Sequence, residues 1–252
     1  KSAEQTQDSF GLQLGSRDFG RARIAASNGG VALNANATTY GGYQAESGYD
    51  QQKANLRFDG GVDDWQLTGV VSASNLNQET AGYIQDGKGA YRNSAARKVN
   101  RNPEAYRDAR SLRAHLRFER ELGDRTVSIT PYLRSNEMEF LQHYLPWKSR
   151  EMNEHDSFGL QAHLRGVSAW GEYITGIEFD STDGRLKEDQ AESFSPNQPA
   201  GIHYDYQVDA TNVALFGQME VALAEDLLLQ AGLRSERTEY DYTTRAPAGS
   251  VC

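Results

Sequence analysis

The sequence predicts an all-β fold, an antiparallel up-and-down meander of about 11 strands. Two observations predict it. Apolar and polar residues alternate with a period of two over most of the chain, whereas helical periodicity is nearly absent. The connections between the predicted strands also alternate, between short turns and long polar loops. An up-and-down meander explains this order, because every second connection returns to the same edge of the sheet.

The predicted strands share an alternating pattern that gives each of them one apolar and one polar face. In the segment LRAHLRFER at 112–120, apolar residues alternate with histidine and charged residues, and 127–134 and 158–165 repeat the pattern. We predict strands at residues 8–15, 20–28, 31–40, 51–60, 65–76, 109–120, 125–139, 156–166, 170–181, 207–222 and 227–240.

The connections are sorted by length. The short ones are turns rich in Gly, Asn, Asp and Glu, at 28–30, 61–64, 121–124, 166–169 and 224–226. The long polar ones are 41–50, 77–108, 140–155 and 182–206, and on their side only 15–19 is short. A soluble sandwich gives no reason for this sorting, whereas transmembrane β-barrels combine short turns, long outer loops and apolar-out, polar-in strands. The sequence therefore predicts part of a transmembrane β-barrel, whose wet lumen and loops account for the mean hydropathy of −0.71.

Aromatic residues near the predicted strand ends support the barrel, since two aromatic girdles mark the membrane interfaces of such proteins. Those expected on the long-loop side are Tyr40, Tyr43, Tyr83, Tyr132, Phe140, Trp147, Phe179, Tyr204, Tyr206, Tyr240 and Tyr242. Those expected on the short-turn side are Trp65, Trp170 and Tyr173.

Composition and motifs exclude several functions. The net charge is −9 and the basic residues are not clustered, which argues against nucleic-acid binding. No catalytic motif is present, so we expect neither an enzyme nor a cofactor. The five histidines have no metal-ligand spacing, and no metal site is expected. The single cysteine, Cys252, has as its partner either a loop cysteine beyond this sequence or none.

Three segments resemble the barrel of TonB-dependent outer-membrane receptors. The segment SFGLQLGSRDFGRARIAAS at 9–27 is similar to the first hairpin after the plug of that family. The segment GGYQAESGYDQQKANLRFDGGVDDWQLTGVVSAS at 41–74 resembles the next hairpin pair. The segment RDARSLRAHLRFERELGDRTVSITPYL at 107–133 fits the pair that follows.

The resemblance implies a fold and a function. Barrels of this family have 22 strands, an internal plug and a short box that contacts TonB, and none of the predicted elements here is a plug or such a box. We therefore expect residues 1–252 to be a partial transmembrane barrel domain, roughly the first half of the 22 strands. The implied location is the bacterial outer membrane. The implied activity is TonB-dependent uptake of a scarce ligand, most simply a ferric siderophore, with membrane lipid, the ligand and TonB as partners.

Two alternatives to this function stay open at this level. One is a passive porin-like channel of 10 or 12 strands, which even strand numbers allow. The other is a soluble β-sheet binding module, which requires the apolar faces of the strands to pack against one another.

Charged residues on the predicted inward face are candidates for contact with a plug, with a solvated channel wall as the alternative. These candidates are Arg57, Arg113, Arg117, Glu119, Arg165 and Glu178.

The 77–108 loop is the candidate for ligand capture. It carries six basic residues against four acidic ones, and its tyrosines suit an anionic, aromatic-rich ligand. The predicted ligand-binding residues are Tyr83, Tyr91, Arg92, Arg97, Lys98, Arg101 and Tyr106. The 182–206 loop has the opposite charge balance.

Overall fold

A computed structural model describes residues 7–84, 87 and 89–246 of the chain. Within these residues, eleven strands form one antiparallel sheet, and each strand pairs with its neighbours in chain order. The predicted fold class and strand number are confirmed. The strands are β1 (Ser9–Leu14), β2 (Gly20–Asn28), β3 (Val31–Tyr40), β4 (Tyr49–Val62), β5 (Trp65–Glu79), β6 (Tyr106–Leu122), β7 (Arg125–Leu141), β8 (Arg150–Ser168), β9 (Gly171–Gln190), β10 (Gly201–Ala224) and β11 (Leu227–Thr244).

The connections lie at two edges of the sheet, as the meander requires. At the turn edge, Gly29 and Gly30 join β2 to β3 with φ of 54° and 84°, and Gly123 has a φ of 65°. Two-residue hairpin turns need such positive φ values, which glycine adopts without strain. The loop edge carries the connections 15–19, 41–48, 80–105, 142–149 and 191–200.

Strands β8, β9 and β10 extend towards the loop edge beyond their predicted ends. The predicted loops 140–155 and 182–206 therefore shrink to 142–149 and 191–200. Ion pairs across the strands accompany the extension, because Arg150 lies 3.0 Å from Asp189 and Arg185 lies 2.8 Å from Asp205. Both faces of the extended hairpins are polar, so the alternation that identifies strands in the sequence is lost there.

The strand register separates two faces of the sheet. One row across six strands consists of Leu33, Leu56, Val71, Ala114, Leu133 and Phe158. We call this side the apolar face. Its side chains are exposed rather than packed, since Leu133 is 61% and Phe158 is 54% accessible. No second layer of protein covers the apolar face within the described part of the chain, and the few buried apolar residues there are all alanines.

The opposite side, the polar face, carries charged and hydroxyl-bearing residues. One of its rows consists of Arg57, Val70, His115, Tyr132, Gly159, Asp180 and Asn212. The predicted assignment of alternate residues to two faces is thereby confirmed. Among the described residues, no helix has the length and apolar character needed to cross a membrane.

The aromatic residues follow the predicted girdles only in part. Trp65 and Tyr173 lie near the turn edge on the apolar side, as expected. Tyr132 lies mid-strand on the polar face, so its predicted place at a strand end is wrong. The Tyr206 and Tyr242 rings pack 5.0 Å apart, also on the polar face. The register of a strand, rather than distance to a loop, decides which face an aromatic ring occupies.

Candidate ligand-binding site

The loops at the loop edge are tied to one another. The Ala45 N–H donates to the Lys98 carbonyl over 2.9 Å, which joins the 41–48 and 80–105 connections. Lys148 forms an ion pair with Glu104, and the Trp147 and Phe194 rings lie 6.1 Å apart. The connections from 41 to 200 therefore form a laterally linked layer along one edge of the sheet.

The predicted basic loop contains two short 3₁₀ helices, Ala90–Arg92 and Ala96–Lys98. The Asn93 side chain accepts the Ala95 and Ala96 N–H groups at 3.0 and 3.3 Å, which fixes the start of the second helix. The structure thus places four of the predicted cations within residues 92–101, where Arg92, Lys98 and Arg101 are exposed and Arg97 is half-buried. A basic surface of this kind attracts anions.

The predicted tyrosines of the ligand site do not share one position. Tyr83 is 77% exposed in the loop. Tyr106 is the first residue of β6, and its hydroxyl donates to Glu139 on β7. Burial and this hydrogen bond raise the pKa of Tyr106 to about 12. Tyr106 therefore braces two strands beside the loop. The Tyr91 side chain, Asp86, Lys88 and Cys252 lie outside the described residues.

The register places all six predicted plug-facing residues on the polar face. Arg57 is bonded to Asp59 at 2.6 Å, Arg117 lies 3.9 Å from Glu119, and Glu178 accepts from Arg234 at 2.7 Å. Arg57 and Glu178 are thus hydrogen-bonded within the wall, whereas Arg117 and Glu119 form only a long ion pair with each other. Arg113 and Arg165 are exposed and make no hydrogen bond or ion pair with any described residue. They are the two members of the set that are free to contact another segment.

A side-chain cluster at mid-strand was missed by the sequence reasoning. The Tyr132 hydroxyl donates to Asp180, which also accepts from Arg134 at 2.6 Å and from Thr182 at 2.9 Å. The Tyr132 ring reaches from β7 to β9 across Gly159 of β8, where a Cβ atom would overlap the ring. The glycine was the only signal in the sequence, and its meaning depends on the register of three strands.

A buried polar network closes the loop edge between β7 and β10. The Gln142 amide donates to Glu151 at 2.6 Å and to Glu188 at 3.0 Å, and the Tyr204 hydroxyl donates to Glu151 at 2.9 Å. Burial, followed by the bond to Glu151, raises the pKa of Tyr204, which keeps its hydroxyl protonated. The network holds the ends of four strands together.

His203 belongs to the same network and occupies a bulge of β10, between Ile202 and Tyr204. Its Nδ1 lies 2.7 Å from a Glu188 oxygen and its Nε2 lies 2.9 Å from the Pro199 carbonyl. Both partners only accept hydrogen bonds, so the imidazolium is the form that satisfies both contacts. The described residues contain no group of three or more His, Cys, Asp or Glu side chains placed to hold a metal ion.

The architecture defines a class of protein. The chain is a single layer of paired strands with an exposed apolar face, a charged polar face, short turns at one edge and longer loops at the other. This combination is that of the wall of a transmembrane β-barrel. The family model described as TonB dependent receptor-like, beta-barrel matches residues 3–251, and the chain belongs to this family. The resemblance predicted from the sequence is confirmed.

Solved structures support the same fold. The ferric citrate transporter FecA in its unliganded form superimposes with a TM-score of 0.73 at 11% identity, over 94% of this chain and 38% of FecA. The siderophore receptor PiuA from Acinetobacter baumannii gives 0.71 at 13%, over 95% and 43%. The ferric-catecholate import receptor Fiu from E. coli K12 gives 0.72 at 13%, over 95% and 46%.

The chain spans less than half the length of these three receptors. A search of curated protein sequences found no match. The family is one of TonB-dependent receptors, and the three neighbours are a transporter, a siderophore receptor and an import receptor rather than enzymes, in agreement with the absence of catalytic motifs.

Proposed function

We propose that the chain forms about half of the barrel wall of an outer-membrane receptor that takes up a ferric siderophore with energy from TonB. The observation that carries this proposal is the pairing of a basic loop segment at one edge with a charged polar face below it. In this proposal, the apolar face contacts membrane lipid. No other part of the described protein covers this face.

The remaining parts of the receptor belong to other segments of the protein. In the neighbours, this chain corresponds to 38–46% of the sequence, which leaves length for further strands and a plug. Within the proposal, Arg113 and Arg165 contact the plug from the wall, because they have no partner in the described wall. The segment that contacts TonB also lies outside residues 1–252.

The test is uptake of labelled iron by a strain that lacks the gene and is complemented with the intact protein. We expect uptake of an anionic ferric siderophore that disappears when TonB is also deleted. Ferric citrate serves as an alternative ligand in the same assay, and uptake of labelled cobalamin and of a labelled sugar is measured in parallel with the same strains. Uptake that is unchanged without TonB contradicts the proposal and favours a passive porin-like channel.

A variant of the basic loop segment tests its part in ligand capture directly. Replacing Arg97 and Lys98 by glutamine is expected to weaken the apparent affinity for an anionic siderophore roughly tenfold or more, because charge-assisted hydrogen bonds are lost. Arg125→Gln, which removes one cation at the turn edge, is the control and leaves uptake unchanged. Equal uptake by the loop variant and the control excludes this segment from ligand capture.

A further inference from the structure

A polar cavity lies on the lumen side of β1–β4, close to the loop edge. Its volume is about 510 Å³. Three cations line it, Arg21, Arg23 and Lys53, together with amide side chains and no carboxylate among the described residues. The lining amides are Asn34, Asn36 and Gln51. All of these residues belong to the polar face. A cavity with several fixed cations and amide donors, and no internal counter-charge, has the chemistry of an anion site.

The cations of this cavity form few hydrogen bonds or ion pairs with other described residues of the wall. Arg21 donates from Nε to the Thr38 hydroxyl at 2.9 Å and lies over the Phe19 ring. Arg23 and Lys53 are exposed and have no hydrogen bond or ion pair to a described residue. Arg57, further along the same strand as Lys53, shows the contrast, because Asp59 holds it in a two-point ion pair. The donors at the cavity are therefore available to a ligand.

The register brings the two free cations to one level of the wall. Arg23 pairs with Asn36, and Asn36 pairs with Lys53, so the cations stand two strands apart, roughly 10 Å between backbones. The Arg23 side chain extends over Gly11 of β1, where a Cβ atom would lie 2.9 Å from its Cγ. Two like charges that share one cavity repel each other, and a bound anion removes that cost.

The loop that joins two of the cavity strands is bonded to the basic loop segment. The Gln44 side chain donates to the Val99 carbonyl at 3.1 Å, and the Asn100 side chain donates to the Glu46 carbonyl at 2.8 Å. The 41–48 loop joins β3 and β4, the strands that carry Asn36 and Lys53 on the lumen side. The loop that continues from these two cavity strands therefore contacts the basic loop segment at the loop edge.

We propose that this cavity binds the carboxylate groups of an anionic solute after capture by the loops. A guanidinium fork binds a carboxylate through two parallel hydrogen bonds, and the lysine and amides complete the shell. This inference rests on the proposed function only in requiring that solute enters the lumen. It adds that the receptor favours carboxylate-bearing ligands over neutral ones at this position.

Citrate is the probe, and its binding to the intact purified protein is measured by titration calorimetry. We expect saturable binding that weakens as salt is added, and a roughly tenfold or greater loss of affinity in Arg23→Gln and in Lys53→Gln. Arg110→Gln is the matched control. It removes one exposed cation from the apolar face of β6, where Arg110 has no ion pair with a described residue. We expect citrate affinity to stay at the wild-type value.

Three results overturn the proposal. They are absence of saturable citrate binding to the wild type, unchanged affinity in both cavity variants, and an equal loss in Arg110→Gln. If an acidic segment of the same protein already fills the cavity, citrate does not bind to the wild type, and Arg23→Gln melts at a lower temperature than the wild type. Citrate binding without TonB-dependent iron uptake refutes the proposed function and leaves the cavity site intact.

Discussion

Replacing Leu133 by arginine is expected to destabilise the membrane-inserted protein by about 2–4 kcal/mol, because a cation on the lipid side of a barrel at mid-depth loses its hydration. Leu133 lies in the middle of β7 on the apolar face, between Ala114 and Phe158. It is 61% exposed and is not packed in a core that the substitution could disrupt. The cost therefore arises from the bilayer and not from lost packing within the protein.

Reversible unfolding by urea from lipid vesicles measures this cost. Gln161→Arg is the matched control, since Gln161 occupies the polar face of the adjacent strand and pairs with Glu178. We expect the control to stay within about 1 kcal/mol of the wild type, as for an exposed ion pair. Equal, small effects of both substitutions would show that the apolar face does not contact lipid.

Raising the pH through the pKa of His203 is expected to loosen the loop-edge end of the β9–β10 hairpin. Burial lowers this pKa, but the hydrogen bonds to the Pro199 carbonyl and Glu188 outweigh burial and raise it above its ordinary value. The stabilisation by the imidazolium is thus complete below the ordinary histidine pKa and is lost as the pH rises through the raised value. Glu188 and Asp189 of β9, Glu151 of β8 and Tyr204 of β10 are the ionisable groups around it.

Amide hydrogen exchange across 186–206, corrected for the intrinsic pH dependence, reports this loosening. We expect local protection to fall by about 1–3 kcal/mol on deprotonation, the usual cost of a buried group left without its partner. His203→Gln removes the pH dependence, whereas His163→Gln, on β8 away from the network, keeps it. Protection that is independent of pH in the wild type refutes the role of the charged imidazole.

The faces and order of the strands were predictable because both depend on local periodicity. Arg57, Arg113 and Glu178 were assigned to the polar face from alternation alone, and the register confirms each of them. The alternation of apolar and polar residues ends where both faces of a strand have the same environment. Around Arg150 and Asp189, both faces are polar, so the extended hairpins were interpreted as loops.

The side-chain clusters were not predictable, since each depends on contacts between distant strands. Tyr132 and Asp180 are 48 positions apart in sequence, and their contact requires Gly159 on the strand between them. His203 falls within the predicted 182–206 loop, and its role was not predictable because its bulge and its bond to Glu188 depend on the register of β9 and β10. Local patterns thus define the wall, and tertiary pairing defines its polar sites.

The labelling pattern of single cysteines along β8 tests the central claim most directly. Cys252 is the one cysteine of residues 1–252, so the background carries Cys252→Ser together with serine at every cysteine of the other segments of the protein. In intact outer membranes, we expect a water-soluble maleimide to label cysteines at His155, Gln161 and His163. Cysteines at Phe158, Leu160 and Leu164, on the apolar face, are expected to stay unlabelled until detergent is added. Labelling without this period of two would contradict a sheet that spans a membrane with its apolar face towards lipid.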